Sequence, residues 1–326
     1  MNSYQADLVS LVTPGWNGKD FVHRLLDSIL AQTYRPIQYI YVDDGSTDGT
    51  TETVLEYENR FRNAGIDFIF VQQENKGLCE ALMTGFQYVE GAFLSNPEYD
   101  DFLLPTSVEK RVKYLKAHPD CAVVVADAWL VEENDLENRT RYISGKNPNR
   151  FDRNHFYQSL MSNTIFNAAC YMVCMNRFDE THPNRKLLYY PYGSNQQVLL
   201  PLYYHWNRGF IDEPLSVSVS RNGSLSKKKN SFSDDVERDL AYKDLLYSIL
   251  DGIEMPDSDR LLYKERVEIN VQKDFYYFGN KYGEKEFADK AKQFLMNCNE
   301  PLPSKNVSIF NWCKYIKALH FINKRP

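Results

Sequence analysis

The chain has 326 residues, 43% of them hydrophobic and 14% aromatic, enough to bury one large core or a core with a smaller appendage. Its formal net charge of -6 supplies no global basic field, which argues against nucleic acid backbone binding as the main activity. The opening MNSYQADLVSLVTPGWN lacks a basic segment followed by a long apolar run, and no window approaches the roughly 20 apolar residues of a membrane span, so a cytoplasmic protein is expected.

The first hundred residues alternate short β-rich runs with helical patterns, which argues for a parallel sheet carrying helices on its faces. LVSLVT (8–13) is followed by Phe21, Leu25, Ile29 and Leu30 at helical spacing, and IQYIYV (37–42) by Val54, Tyr57 and Phe61. IDFIFV (66–71) reads as the third strand, and a helix over 78–88 leads to a strand that ends in FLSNPEYDDFLLP (93–105). A helix over 107–117 and the β run CAVVVADAWLV from Cys121 come next. The stretch 134–154 reads as polar and irregular, 156–190 as a binding wall rich in aromatics, and nearly everything from Ser233 onward as helix. The six cysteines are scattered, and the close pair Cys170 and Cys174 lacks a second pair to complete a zinc site, so all are expected as reduced thiols.

In an open parallel sheet, ligands sit beyond the carboxyl ends of the strands. Four polar segments fall there: Thr13-Pro14-Gly-Trp-Asn17, Asp43-Asp44-Gly-Ser, Gln-Glu-Asn75-Lys-Gly77 and Glu98-Tyr-Asp100-Asp101. Singly they are ordinary, since Asp-Gly-Ser-Thr-Asp is also a good turn and helix-capping sequence. Together they make one crevice, with Asp44 placed to accept a hydrogen bond from a base N–H and Thr13 and Asn75 as further polar contacts. Neighbouring carboxylates repel, and a divalent cation bridging the acids of the fourth segment to a diphosphate would relieve that repulsion.

VTPGWN, AQTY, VDDGSTDGT, ENKG and YDDFLLP resemble the family 2 glycosyltransferases of the GT-A fold, over roughly residues 8–226. The resemblance implies a Rossmann-like α/β/α sandwich with a mostly parallel sheet over 1–230, divided into a nucleotide-binding half (1–105) and an acceptor half (106–230). A C-terminal helical region over 231–326 would follow. It implies inverting transfer from a nucleotide diphosphate sugar, UDP-linked by expectation, to a glycan or lipid-linked glycan of the cell surface. Asp44 would pair with the base, Asp100 would lie near the ribose, and Asp101, with Asp100, would hold Mn²⁺ or Mg²⁺ on the diphosphate. Glu98 occupies the first place of the family's Asp-x-Asp element, and Arg221, in IDEPLSVSVSRNGSLS, would reach the phosphates. Thr13, Pro14, Asn17, Asp43, Asn75 and Gly77 complete the expected donor-binding set.

Two departures stand out. Where the family commonly carries Glu-Asp ahead of a helix, this chain has Gly193-Ser194-Asn195-Gln-Gln, which leaves Asp179 and Glu180 as candidates for the general base; and Leu82 stands where an Arg often meets the diphosphate. A catalytically silent nucleotide-sugar or glycan binding module is therefore the rival reading. A sugar nucleotidylyltransferase lacks its Gly-rich loop here, and a dinucleotide dehydrogenase its G-x-G-x-x-G. In VSIFNWCKYIKALHFINK, Ile309, Trp312, Ile316 and Leu319 fall on one side and Lys314, Lys317 and Lys324 on another, so 305–326 reads as a basic amphipathic helix suited to peripheral contact with an anionic membrane, to packing on the globular part, or to a homodimer.

Overall fold

The structure, a computed structural model, describes residues 4–143, 149–161, 168–190, 193–221 and 231–303. The basic tail over 305–326 and the Lys227–Lys229 run lie outside the described residues. Two compact units divide the chain, the first made of 1–145, 149–156 and 165–227, the second of 146–148, 157–164 and 228–326. The expected boundary at 230 thus compares with a break between 227 and 228, and 157–164 groups with the helical unit.

In chain order the elements are β1 (Gln5–Gly15), α1 (Lys19–Leu30), β2 (Ile37–Asp43), α2 (Thr50–Leu55), α3 (Glu58–Asn63), β3 (Ile66–Gln72), α4 (Leu78–Phe86), β4 (Gly91–Ser95), β5 (Phe102–Leu103) and α5 (Ser107–Ala117). They continue with β6 (Cys121–Glu132), β7 (Asp135–Arg141), α6 (Phe156–Leu160), β8 (Tyr171–Cys174), α7 (Met175–Thr181), α8 (Ser194–His205), β9 (Asn207–Ser220), α9 (Phe232–Gly252), α10 (Asp257–Tyr282) and α11 (Lys285–Asn297).

One sheet runs in the order β3-β2-β1-β4-β8-β6-β9-β5, with β7 paired to β6. The first four strands are parallel, and the second half is mixed because β8 runs antiparallel to both β4 and β6. β2 is buried along its whole length and β1 from Leu8 onward, which is why both read as unbroken apolar runs rather than alternating ones. Helix α1 lays Val22, Leu25, Leu26 and Ile29 on the sheet. The helical pattern after β2 is broken into α2 and α3, with Tyr57 and Phe61 still turned to the core.

β9 carries Pro214 in mid-strand, where no ladder N–H is available. The register between β6 and β9 shifts on both sides of the Asp127↔Pro214 pair. Asp127, fully buried, accepts from the Ala128 and Ile143 amides (2.8 and 2.7 Å) and from Arg141 Nε (2.6 Å), so the bulge leaves its neighbours satisfied. In the second unit, α9 opens on a reciprocal capping box between Ser231 and Asp234, and Phe275, Phe278 and Leu295 form the core that α10 and α11 share.

His155 is 1% exposed, edge-on to Tyr203 and beside the buried Arg208. Burial first, then the Arg208 charge, holds its pKa well below 6.5; burial also lowers that of His182, whose ring nitrogens face the Phe178 and Gln197 carbonyls at 3.1 and 2.9 Å. As pH falls through 6.5 the unfolded imidazoles take up protons that the folded ones refuse, so acid favours unfolding. The melting temperature is expected to drop between about pH 7 and pH 5 and to drop less in His155→Phe, whose ring keeps the Tyr203 contact. An unchanged slope in that variant would move the effect to other groups.

Candidate active site

The register sets Gly15, Asp43 and Gln72 in one row, so the loops after β1, β2 and β3 emerge side by side at the carboxyl edge. They are stitched together by side-chain hydrogen bonds between loops. Asn17, at φ 50°, donates its amide to Ser46 Oγ (3.0 Å) and accepts from Thr47 N at Oδ1 (2.8 Å). Gly18 N donates to Thr50 Oγ1 at 2.8 Å. Asp43, fully buried, accepts from Ser46 N (3.0 Å) and the Thr51 hydroxyl.

Asp44 is 4% exposed and gathers the loop after β3, accepting from Gln73 Nε2 (2.8 Å), Lys76 N (2.9 Å) and Gly77 N (2.8 Å). The close wrap needs glycine twice. Gly77 sits at φ 88°, and at Gly45 a Cβ would stand 2.9 Å from the Asn75 amide nitrogen. The base-pairing role expected of Asp44 therefore meets a carboxylate already turned to backbone amides, and Asp43 is enclosed in the same way. Thr13, also fully buried, donates its hydroxyl to Pro97 O (3.0 Å) and so braces the approach to the acidic turn rather than facing the crevice. Pro14 lies opposite Val42 in the sheet, and Asn75 is exposed on the loop.

The acidic turn closes with Asp101 N donating to Glu98 O (3.2 Å). Arg221, at the end of β9, bonds Asp100, and its guanidinium lies 4.2 Å from the Phe21 ring centroid. Asp101, 3% exposed, accepts from Val219 N at 2.9 Å, which fastens the turn to β9. Glu98 faces the other two acids. Burial, then repulsion from Asp101 and Asp100, outweighs the Arg221 charge and lifts its pKa from 4.5 to about 8.

Among the described residues no three His, Cys, Asp or Glu side chains form a ready-made cation cage. The donor set nonetheless fits Mg²⁺ or Mn²⁺, because such ions are commonly held by one or two carboxylates with phosphate oxygens completing the shell. Asp101 and Asp100 repel the Glu98 carboxyl, which adds to the larger effect of burial, and a cation shared among the acids of this turn would relieve that repulsion.

The structure does not bring Asp179 or Glu180 to this crevice. β8 runs antiparallel to β4, pairing Cys174 with Phe93, so the chain has left the carboxyl edge by the time α7 begins. Asp179 there bonds the hydroxyl of Tyr4 and Arg185 Nε (3.2 Å), and Glu180 pairs with Arg177 at 3.2 Å on the surface. Leu82 is 1% exposed in the core. Ser194 and Asn195 do lie near the crevice. Tyr171, at the opposite end of β8, donates its hydroxyl to Asn195 Oδ1 (3.0 Å), while its carbonyl accepts from Ser95 Oγ at the end of β4 (2.6 Å).

Sequence reasoning missed Tyr171 and Tyr142. Burial is the first cause that raises both phenols, Tyr142 to about 12, with the acids of the turn adding to it, so both stay protonated donors. Arg24 was missed as well. Its Nε and Nη2 are buried without a hydrogen-bond partner, and its guanidinium lies 5.8 Å from the same Phe21 ring that Arg221 covers.

A family model described as glycosyl transferase family 2 matches residues 10–181. An uncharacterized glycosyltransferase of Rickettsia bellii is 34% identical over 130 residues, 39% of this chain and 18% of that protein. Glycosyltransferase GlyG of Streptococcus pneumoniae is 29% identical over 145 residues, 43% of this chain and 45% of its own length. The chain thus spans less than half the length of these curated relatives. Among solved structures, S. aureus TarS 1-349 in complex with UDP-GlcNAc aligns with TM-score 0.63 at 16% identity, covering 90% of this chain and 81% of that one. Mannosyltransferase PcManGT from Pyrobaculum calidifontis, in complex with GDP-Man and Mn²⁺, aligns with TM-score 0.55 at 15% identity, covering 89% and 75%. At such identities the likeness is one of fold, and the fold is the GT-A type.

Proposed function

The chain belongs to glycosyl transferase family 2, and from that premise we propose that it moves a glycosyl group from a nucleotide diphosphate sugar, UDP-linked, to a hydroxyl of a glycan or lipid-linked glycan. The observation that carries this reading is the acidic turn at the carboxyl edge of the sheet, where Asp100 is joined to Arg221 and Asp101 to the backbone of β9. TarS and PcManGT, which share the fold, are described with UDP-GlcNAc and GDP-Man, the latter with Mn²⁺.

Breaking the bond from the anomeric carbon to the phosphate oxygen puts charge on the leaving diphosphate, and catalysis consists in stabilising it there. Asp101 and Asp100 would hold Mn²⁺ or Mg²⁺, which supplies Lewis-acid neutralisation of that charge. Arg221, poised between Asp100 and the Phe21 ring, adds a second positive group at the same edge. Asp43 and Asp44 keep the walls of the nucleotide pocket in place through the loop amides they bind. Tyr171, fully buried, holds the half-buried Asn195 through its hydroxyl, so that Asn195 offers a neutral polar group on the acceptor side, where an incoming hydroxyl can be oriented.

A second reading, a module that binds nucleotide sugar without transferring it, is favoured by one observation. The carboxylates Asp179 and Glu180 lie away from the crevice, and a Ser-Asn pair heads α8 where the family commonly has Glu-Asp. Incubation with a panel of UDP-sugars and Mn²⁺ is expected to release UDP in an EDTA-sensitive manner. Saturable UDP binding with no release from any donor, with or without oligosaccharide acceptors, would establish the silent module. Absence of UDP binding would sink both readings.

A further inference from the structure

A cavity of about 690 Å³ opens at the other end of the same sheet, lined by Tyr4 and Gln5, by Gln87, Val89 and Glu90 ahead of β4, and by the turn after α7. From Gly15 back to Gln5 the strand rise places it roughly 30 Å from the acidic turn. Nothing in the transfer chemistry requires it.

Its chemistry is unusual for a structural void. Apart from Val89 and Tyr4, every lining side chain ends in a planar hydrogen-bonding group: amide, carboxylate, imidazole or guanidinium. The frame is fixed. Arg185 donates to the Phe86 and Val89 carbonyls, to the Tyr4 hydroxyl (2.8 Å) and to Asp179 Oδ1 (3.2 Å). Gln87 Nε2 donates to Asn184 O at 3.3 Å, and Gln5 Nε2 to Glu90 at 3.0 Å. Asn184 and Arg185 stand side by side at φ 57° and 56°, a left-handed pair that non-glycine residues seldom adopt and that folded proteins keep where a site depends on it.

His182 and Arg185 spend their nitrogens on the frame, which leaves the amides of Gln5, Gln87 and Asn184 and the Glu90 carboxylate to meet the donors and acceptors of a vicinal diol, and the Tyr4 ring offers the flat apolar surface that a sugar face requires. The volume lies within the range of about 300–1,000 Å³ typical of small-molecule sites. Glu90 and Asp179 outnumber the one arginine, which disfavours an anion. We propose that this cavity is a second carbohydrate site, which takes one or two residues of a neutral glycan at the amino-terminal edge of the sheet. Held there, a glycan chain would stay with the protein between encounters at the distant crevice, an effective-concentration gain without new contacts at the reacting centre.

The test is saturation-transfer NMR on the full chain with maltose, cellobiose, lactose and N,N′-diacetylchitobiose, each with and without saturating UDP. At least one disaccharide is expected to give signals that UDP leaves unchanged. Gln87→Ala/Glu90→Ala, both exposed positions whose loss removes the bonds to Asn184 and Gln5 but none of those made by Arg185, should weaken that binding by about tenfold, the effect of one or two lost hydrogen bonds. Silence across the four sugars, displacement by UDP or by inorganic phosphate, or unchanged signals in the double variant would each overturn the proposal. UDP release is read separately, so failure here is distinct from failure of the transferase reading.

Discussion

Asp101→Asn is expected to lower the rate of UDP release by about 10²- to 10³-fold while leaving the melting temperature close to that of the parent chain. The amide is the same size as the carboxylate, and its oxygen can still accept from Val219 N, so the fastening of the turn to β9 survives. What disappears is one negative charge in a nearly closed position, 3% exposed, where water screens little. A cation that neutralises a leaving diphosphate supplies several kcal/mol of transition-state stabilisation, and each 1.36 kcal/mol is a factor of about ten in rate. Asp100→Asn should behave differently, because it also frees Arg221 from its carboxylate partner and so disturbs the end of β9. If Asp101→Asn releases UDP within about threefold of the parent rate and keeps the same EDTA sensitivity, the acidic turn does not hold a cation for this reaction.

The parts of this chain that could be read in advance are those whose physical cause is local. β1 and β2 announce themselves because strands covered on both faces become unbroken apolar runs, β3 because IDFIFV keeps a β-branched and aromatic run even at the half-exposed sheet edge, and α5 because its buried residues recur at helical spacing. β7 escaped notice for the opposite reason. DLENRTR lies on an exposed edge, held by backbone pairing to β6, and carries no apolar alternation to betray it. The crevice shows the same division. The four polar segments were legible as strand ends, but the partners of Asp44 lie about thirty residues downstream, and no local pattern tells whether a carboxylate faces a ligand or a loop amide. Asp179 was misread because its distance from the crevice depends on the direction of β8, which a strand of four residues, three of them buried, with no flanking signal does not disclose.

The loop held by Asp44 supplies the second large effect. In Asp44→Asn one oxygen can still accept from Gln73 and Lys76, but the new amide group meets the Gly77 N–H with a donor facing a donor. A hydrogen bond to a charged acceptor contributes about 1.5–3 kcal/mol, and a buried donor left unsatisfied costs about 1–3 kcal/mol more, so a loss of about 3–5 kcal/mol is expected. For a unit of this size that corresponds to a melting temperature lower by roughly 10 °C. UDP affinity should fall with it, since the displaced loop forms a wall of the proposed nucleotide pocket. Gly77→Ala separates the two causes. A Cβ there meets nothing within 4 Å, so its penalty comes from the backbone at φ 88° and ψ 168° alone, about 1–3 kcal/mol, with the Asp44 carboxylate intact. If Asp44→Asn melts with the parent chain while Gly77→Ala does not, the loop is held by its own backbone and Asp44 is released for the base-recognition role that its place in the sequence suggests.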